Sequence, residues 1–440
     1  MSSDRALREG KDGKENLTSV PRFSFISNTE MAETTFDPER DEALSYALYT
    51  AEGTVTTEDC LVRGTKKFTP PGDHNDLIAK GLVLFPSAAV DYGTQEDLGA
   101  DLRAFIRRYS DVPPFWEELM AEFAKLTWVY DRFNAIPYLR FLGDFQSGKT
   151  RMAQTVAHLC YRTIIGGGAT TSAPFFRLLE HFRGTFFLDE SDYRSSDLWS
   201  DIIKILNGGY KKGLPVWRCD KDNRPEAFDC YCPKILTTRK RFEDLALESR
   251  CLTLETHEGE IREDITRQLP DAFYQEAERL RNRLLMWRFR TYRQIALDQS
   301  KLLSLDPRMT EIIVPLVAVS SNPGFRSRLV EFCGACAAEQ RAERPQALIF
   351  EAIRQLAGST NGKVLFVKDV AQKASDLRQD QEPEAAKQAR TADGDEPQFF
   401  TAKRAGSLVR SLGFETRRTA NGYQFEVEKA KMAALEKRYQ

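Results

Sequence analysis

The sequence predicts an α/β protein built on a parallel sheet, and three observations carry that prediction. Strand-like apolar runs alternate with helical patterns between residues 138 and 254, the arrangement that gives a parallel sheet. One run leads into "GDFQSGKT", Gly143–Thr150, which has the G-x-x-x-x-G-K-T spacing of a phosphate-binding loop. Another, "TFFLDE", ends in the paired acids Asp189 and Glu190.

The chain has 440 residues, 41% of them apolar and 29% charged, enough for two to four domains and at least one large core. The first 35 residues are polar and short of aromatics, and read as disordered. "MSSDRALREGKDGKENLTSV" lacks the apolar segment of a secretory signal. Residues 36–114 are a mixed segment with no readable chemistry. "EELMAEFAKLTWVYDRFN" (117–134) has helical spacing.

Five strand-like runs follow: Tyr138–Gly143, Thr163–Ile165, Thr185–Leu188, Lys234–Thr237 and Cys251–Leu254. After Lys149, the residues Met152, Val156, Leu159 and Cys160 share a helix face. Leu198, Ile202, Ile205 and Leu206 do the same between Ser195 and Gly208. Residues 266–340 read as helical. In the C-terminal region 341–440, residues 378–397 hold six acids, three bases and no aromatic, and read as a flexible insertion.

Net charge is −2, so no global charge points to nucleic acid or membrane, and a polyanionic partner must be met by a local patch. The longest apolar run, Ile312–Val319, has eight residues, far below the ~20 of a membrane helix. A cytoplasmic chain without membrane contact is expected. Eight cysteines show no disulfide framework. "CYC" (Cys230–Cys232) and "CGAC" (Cys333–Cys336) have no nearby histidine, so they read as reduced thiols rather than zinc half-sites.

The residues of the loop point to nucleotide chemistry. Backbone N–H groups at a helix N-terminus cradle phosphate oxygens. The loop comprises Gly143, Asp144, Phe145, Gln146, Ser147, Gly148, Lys149 and Thr150. Lys149 is expected to reach the β- and γ-phosphates of ATP, and Thr150 to place its hydroxyl on Mg²⁺. Asp189 suits Mg²⁺ through water, and Glu190 suits activation of the attacking water. "KILTTR" ends in hydroxyls, and Thr237 or Thr238 could hydrogen-bond the γ-phosphate or its water. Arg250, in "ALESRC", is a candidate to stabilise charge on the transferring phosphoryl, supplied from a neighbouring subunit.

Taken in order, "PYLRFLGDFQSGKTR", "FRGTFFLDESD", "ILNGGYKKGLPVWR" and "ALESRC" resemble the AAA+ ATPases. Within these they are similar to the minichromosome-maintenance-like self-loading helicases of bacterial mobile elements and prophages. The resemblance covers roughly residues 80–290 and, more loosely, the C-terminus. It implies Walker A at Gly143–Thr150, Walker B at Asp189 and Glu190, a sensor at Thr238 and an arginine finger at Arg250. It divides the chain into an ATPase core over 115–265, a helical lid over 266–340 and a winged-helix domain over 341–440. Gln146 stands where the family usually has a small residue, which predicts an altered loop backbone. Arg281, Arg283 and Arg288 are equal candidates for a second sensor.

Two segments suggest what such a motor would act on. "LPVWRCDKDNRPEAFDCYC" has β-prone runs around a turn cluster, so a hairpin is expected with Lys221 and Arg224 near its tip. In the resembled helicases a hairpin here grips single-stranded DNA. In the C-terminal segment, Thr401 is the expected cap of a helix with Ala405, Leu408, Val409 and Leu412 on one face. A hairpin then turns at Asn421-Gly422. Residues 398–440 hold nine Lys/Arg and four Asp/Glu, which suits DNA phosphate. Lys403, Arg404, Arg410, Arg417 and Arg418 are the expected contacts. The first reading is a ring-forming, hexameric ATP-driven DNA helicase or translocase, acting in replication of a mobile element or prophage. The second is an ATP-dependent DNA-binding switch (initiator, loader or transposition regulator) that does not unwind DNA.

Overall fold

In the computed structural model the described residues are 17–41, 43–72, 76–167, 172–189, 196–219, 222–242, 244–256, 261–296, 305, 307–342, 345–358, 363–381 and 400–439. The chain divides into two compact units, Met1–Leu329 and Val330–Gln440.

The first unit opens with β1 (Thr18–Pro21), β2 (Ser24–Ile26), β3 (Met31–Phe36), β4 (Leu44–Tyr49), β5 (Val55–Glu58), β6 (Leu61–Arg63) and β7 (Lys66–Thr69). These form a four-stranded sheet, β2-β3-β4-β5, and a three-stranded sheet, β1-β7-β6. Their shared core holds Ala32, Tyr46, Leu48, Leu61 and Phe68. This corrects the expected disorder of residues 1–35. Residues 1–16 lie outside the described residues, but 17–35 hold β1, β2 and most of β3. The physical reason is non-local. Glu33 looks like a solvent residue in sequence, yet it is buried against Arg162 and Arg288, which lie more than a hundred residues away.

Helices α1 (Gln95–Tyr109) and α2 (Pro114–Thr127) follow. Thr94 and Asp97 form a reciprocal capping box at the start of α1. Proline at the first position starts α2. The expected helix over 117–134 therefore begins earlier and ends at Thr127. A 3₁₀ turn at Tyr130–Arg132 replaces its last turn.

The parallel core consists of β8 (Tyr138–Leu142), α3 (Lys149–Ala157), β9 (Ile164–Gly166), α4 (Ser172–Phe182), β10 (Phe186–Leu188), α5 (Ser196–Gly208), a hairpin of β11 (Val216–Cys219) and β12 (Pro225–Phe228), β13 (Lys234–Thr238), α6 (Leu245–Glu248) and β14 (Cys251–Glu255). All pairings in its five-stranded sheet, ordered β14-β8-β13-β10-β9, are parallel. The sequence runs match these strands to within a residue or two. They are rich in apolar residues because the sheet is covered on both faces, and the one charge inside β8, Arg140, is buried and paired with Glu248. Every residue of β8, β10 and β13 is buried. Helices α7 (Asp271–Thr291), α8 (Pro307–Val319) and α9 (Pro323–Ala342) follow, as the helical reading of 266–340 expects.

The second unit contains α10 (Pro345–Ala357), β15 (Val364–Phe366), α11 (Val367–Gln381), α12 (Ala402–Ser411), β16 (Arg417–Thr419), β17 (Gly422–Glu426) and α13 (Lys429–Tyr439). Its antiparallel sheet has the order β15-β17-β16. Ile349, Ile353, Val370, Val409, Phe414 and Phe425 are among its core residues. Thr401 caps α12, its side chain accepting from the Arg404 N–H. The hairpin turn sits one residue earlier than expected. Thr419 pairs with Gly422, so the turn residues are Ala420 and Asn421, and Gly422 takes the positive φ of 116°. Residues 378–381 of the expected insertion belong to α11; 382–397 lie outside the described residues.

Candidate functional site

The loop that carries the phosphate-binding spacing leaves the C-terminal end of β8 and enters α3. Its first glycine is sterically required. A Cβ on Gly143 would sit 2.3 Å from Thr256 Oγ1 and 2.4 Å from the Thr256 carbonyl oxygen. That close approach is held by the Thr256 N–H, which donates to the Leu142 carbonyl at 2.7 Å. The Gly143 N–H donates to the Thr238 carbonyl at 3.1 Å. Ser147 Oγ donates to the Asp144 carbonyl and accepts from Thr256 Oγ1, both at 2.8 Å. Gly148 has φ 80° at the cap of α3. Gln146 also takes a left-handed φ of 61°, a conformation that costs a non-glycine residue. Gln146 therefore carries a backbone conformation that glycine would adopt without strain. Lys149 Nζ donates to the Asp144 carbonyl at 2.6 Å, folding the ammonium back over the loop.

Asp189 follows β10 directly. Two hydroxyls converge on its Oδ1: Thr150, from α3, at 3.0 Å and Thr237, from β13, at 2.8 Å. Among the described residues, Oδ2 accepts no hydrogen bond from either. Thr237 and Thr238 thus differ. The Thr238 hydroxyl is buried and, among the described residues, has no hydrogen-bond partner. Glu190 and Lys221 lie outside the described residues.

Phe145, in the loop, is 60% exposed. The Arg239 guanidinium carbon lies 3.5 Å from the centre of its ring, a cation–π contact. Sequence reasoning missed Arg239. The only signal was its place directly after the two threonines.

Arg250 stands at the other end of the sheet. Its carbonyl accepts from the N–H of Tyr138, the first residue of β8, at 2.9 Å. Five strand residues, about 17 Å at ~3.4 Å each, separate that end from Gly143. The Arg250 side chain is buried. It donates to Asn207 Oδ1 at 2.5 Å and its guanidinium carbon lies 4.2 Å from the centre of the Tyr210 ring, while Nε has no partner among the described residues. Its neighbour in "ALESR", Glu248, forms a buried bidentate pair with Arg140 in the middle of β8.

The three second-sensor candidates on α7 are all engaged elsewhere. Arg281 donates to the carbonyls of His158 and Phe85 at 2.8 and 3.3 Å. Arg283 donates to Asp101 at 2.5 Å and to the Tyr92 carbonyl at 2.8 Å. Arg288 holds Glu33 at 2.8 Å and Asp131 at 3.0 Å. Burial pushes the Asp131 carboxyl up, but the Arg288 guanidinium, together with the Tyr292 hydroxyl and a backbone hydrogen bond, outweighs this and holds it below the usual range.

The expected hairpin forms: Cys219 pairs with Pro225, and Val216 with Phe228. Arg224 is exposed at its tip, beside Asn223 with φ 60°. Trp217 on β11 is 66% exposed, a feature that sequence reasoning did not single out. In the second unit, Lys403, Arg404, Arg410, Arg417 and Arg418 are all exposed, on α12 and β16.

Among the described residues, no group of three or more His, Cys, Asp or Glu side chains is placed to hold a metal. Asp189 and Thr150 fit Mg²⁺ better than a transition metal: they offer hard oxygens, with the remaining ligands left to phosphate and water. Among the described residues, no helix is long and apolar enough to cross a membrane.

No family model matches this chain, and no curated protein does. Among solved structures, the A-form apo structure of the NrS-1 C-terminal region aligns at 11% identity, covering 90% of this chain and 96% of that one, with a TM-score of 0.36. A second apo structure of that region aligns at 12% identity with the same coverage and a TM-score of 0.34. Likeness at this level carries no argument about function.

Proposed function

We propose that this chain is an AAA+ ATPase that hydrolyses ATP with Mg²⁺ and drives DNA unwinding or translocation as a ring. The observation that supports it most is the convergence of Thr150 and Thr237 on Asp189 beside a loop of phosphate-binding spacing. Three separate elements bring an ammonium, two hydroxyls and a carboxylate to the C-terminal edge of a parallel sheet, where open α/β sheets bind ligands.

In this reading Lys149 exchanges the Asp144 carbonyl for phosphate oxygens. Thr150 and Asp189 hold Mg²⁺, which would supply charge neutralisation on the β- and γ-phosphates. Glu190 takes the proton of the attacking water. Arg250 cannot serve its own loop, so it serves a neighbour's. The second unit is read as a winged helix, from its helix–strand–helix–helix–hairpin order and its exposed cations. The hairpin, with Lys221 and Arg224, is read as the grip on single-stranded DNA.

A strand-displacement assay on a forked duplex with ATP and Mg²⁺ tests the proposal. Unwinding supports it. Hydrolysis that DNA regulates without unwinding moves the protein to the switch reading. Absence of both ATP binding and hydrolysis overturns it.

A further inference from the structure

A cavity of about 930 Å³ opens between the Pro21–Ser24 segment and the N-terminal edge of the parallel sheet. Tyr161 and Arg162 precede β9, Arg183 precedes β10 and Tyr231 precedes β13, and all line it. The loop at Gly143–Thr150 leaves the opposite, C-terminal edge. The cavity is therefore separate from the proposed ATP site and does not depend on that reading.

Five cations line this cavity, Arg22, Arg162, Arg183, Lys212 and Arg288, against two acids, Asp131 and Asp229. Two of the cations are neutralised. Arg162 donates to Glu33 at 2.6 Å, and Arg288 is shared between Glu33 and Asp131. Three remain. Arg22 is exposed, its guanidinium carbon 5.7 Å from the centre of the Phe68 ring. Arg183 is exposed, with only a long contact to the Glu180 carbonyl at 3.4 Å. Neither forms an ion pair among the described residues. Lys212 donates to the Asp131 carbonyl at 2.6 Å, and burial pushes its ammonium below the usual range. The one acid left to oppose them is Asp229, whose Oδ1 accepts from the Tyr231 N–H at 3.1 Å.

Backbone strain falls at the same place. Arg162 has φ 45° and Arg183 has φ 48°, left-handed values that cost non-glycine residues and that cluster at ligand sites. The two turns are locked together: a Cβ on Gly184 would lie 2.0 Å from the Arg162 carbonyl oxygen. The aromatic wall is fixed as well, since Tyr130 donates to the Arg183 carbonyl at 2.7 Å and Tyr231 to the Phe133 carbonyl at 2.8 Å. A rigid cavity of this volume is ample for one nucleotide. Cations for phosphate beside aromatic walls for sugar and base are the pattern of nucleotide-unit binding.

We propose that this cavity is a second anion site that takes one nucleotide unit, supplied by single-stranded nucleic acid or by a free nucleotide, with Arg22 and Arg183 contacting its phosphate. The test uses the full chain carrying Lys149→Ala, which disables the phosphate loop. The probes are a fluorescein-labelled oligo-dT and a fluorescent ATP analogue. Arg22→Glu with Arg183→Glu is expected to weaken one probe at least tenfold. Arg22→Lys with Arg183→Lys is expected to keep most of the affinity. For the oligonucleotide, the log–log salt slope should become shallower by about 1.4, two single-strand phosphate contacts at about 0.7 each. Loss confined to the oligonucleotide identifies a strand as the source; loss confined to the analogue identifies a free nucleotide. Unchanged affinity for both probes in the reversed-charge variant overturns the proposal. So does equal loss in the lysine variant, because that would report a disturbed fold and not a lost charge.

Discussion

Thr150 donates its hydroxyl hydrogen to Oδ1 of Asp189 at 3.0 Å, joining the first turn of α3 to the residue that follows β10. The bond is short-range in space and thirty-nine residues long in sequence. It fixes the carboxylate beside the loop before any nucleotide arrives, and Thr237 holds the same oxygen from the other side. Preorganised groups of this kind carry most of the catalytic power in phosphoryl transfer. Lys149→Ala is expected to abolish ATP binding. Glu190→Gln should keep binding and stop turnover, since the amide preserves shape but takes no proton. Asp189→Asn should bind ATP with weakened Mg²⁺ dependence and lose turnover by at least about a hundredfold. Nucleotide titration and phosphate release measure all three. Near-normal hydrolysis by Glu190→Gln would remove Glu190 from its role.

Arg250 gives a prediction about assembly. Its side chain is packed on Tyr210 and bonded to Asn207 at the far edge of the sheet, so any contact with a phosphoryl group must be made to a neighbouring subunit. Arg250→Ala subunits are expected to bind ATP and hydrolyse it poorly. Mixed with Glu190→Gln subunits they should recover activity, at interfaces that carry both wild-type residues. No recovery, in a mixture shown by native mass spectrometry to co-assemble, would rule out a shared site.

Much of the core was legible because its signals are local. A strand covered on both faces is mostly apolar, so "YLRFL", "FFL" and "KIL" stand out even though Arg140 and Lys234 are charged. The loop glycines stand out because nothing larger fits beside Thr256 at Gly143 and because Gly148 takes a left-handed φ of 80°. The N-terminal sheets were not legible, and the reason is specific. Glu33, Thr34, Thr35 and Ser45 are buried polar residues. The partners of Glu33 lie 129 and 255 positions away, at Arg162 and Arg288. No local pattern encodes such pairing. The same holds for the second-sensor candidates: sequence offers three equivalent arginines on α7, and only packing reveals that each already has acceptors. Thr237 and Thr238 also look alike in sequence. Their difference arises because adjacent strand residues face opposite sides of the sheet.

His158 supplies a pH dependence. It is buried against Phe273, with ring centroids 5.0 Å apart, and the Arg281 guanidinium bonds its carbonyl. Burial, aided by the Arg281 charge, pushes its imidazole down from 6.5 to about 4. Between these values the unfolded chain takes up a proton that the folded chain refuses. Stability is therefore full above pH 6.5 and falls as pH drops toward 4, by roughly 3 kcal/mol in all. Thermal unfolding across that window should show a steeper loss for wild type than for His158→Gln. Carboxylates titrate equally in both proteins, so the difference isolates the histidine. Parallel curves would mean that His158 is protonated in the folded state.

The hairpin makes the last prediction, and it separates a DNA grip from a solvated turn. Cys219 and Pro225 close its ladder, with Arg224 exposed just beyond it and Lys221 in the sequence between them, outside the described residues. Lys221→Ala with Arg224→Ala is expected to spare basal ATPase and remove DNA stimulation and unwinding. Losing two phosphate contacts should make the salt dependence of single-strand binding shallower by about 1.4 in log–log slope. Trp217 on β11, 66% exposed, offers a stacking face on the same hairpin. Trp217→Ala should weaken single-strand binding by about 1–3 kcal/mol, the value of one base–aromatic stack, with the salt slope unchanged. Those two signatures are independent: charge loss moves the slope, and stacking loss moves the intercept. Deleting residues 341–440 should differ from both, leaving ATPase intact while duplex engagement weakens. If the tip variant unwinds a preloaded fork as well as wild type, and Trp217→Ala binds single strands unchanged, the hairpin touches no DNA and the translocase reading loses its main support.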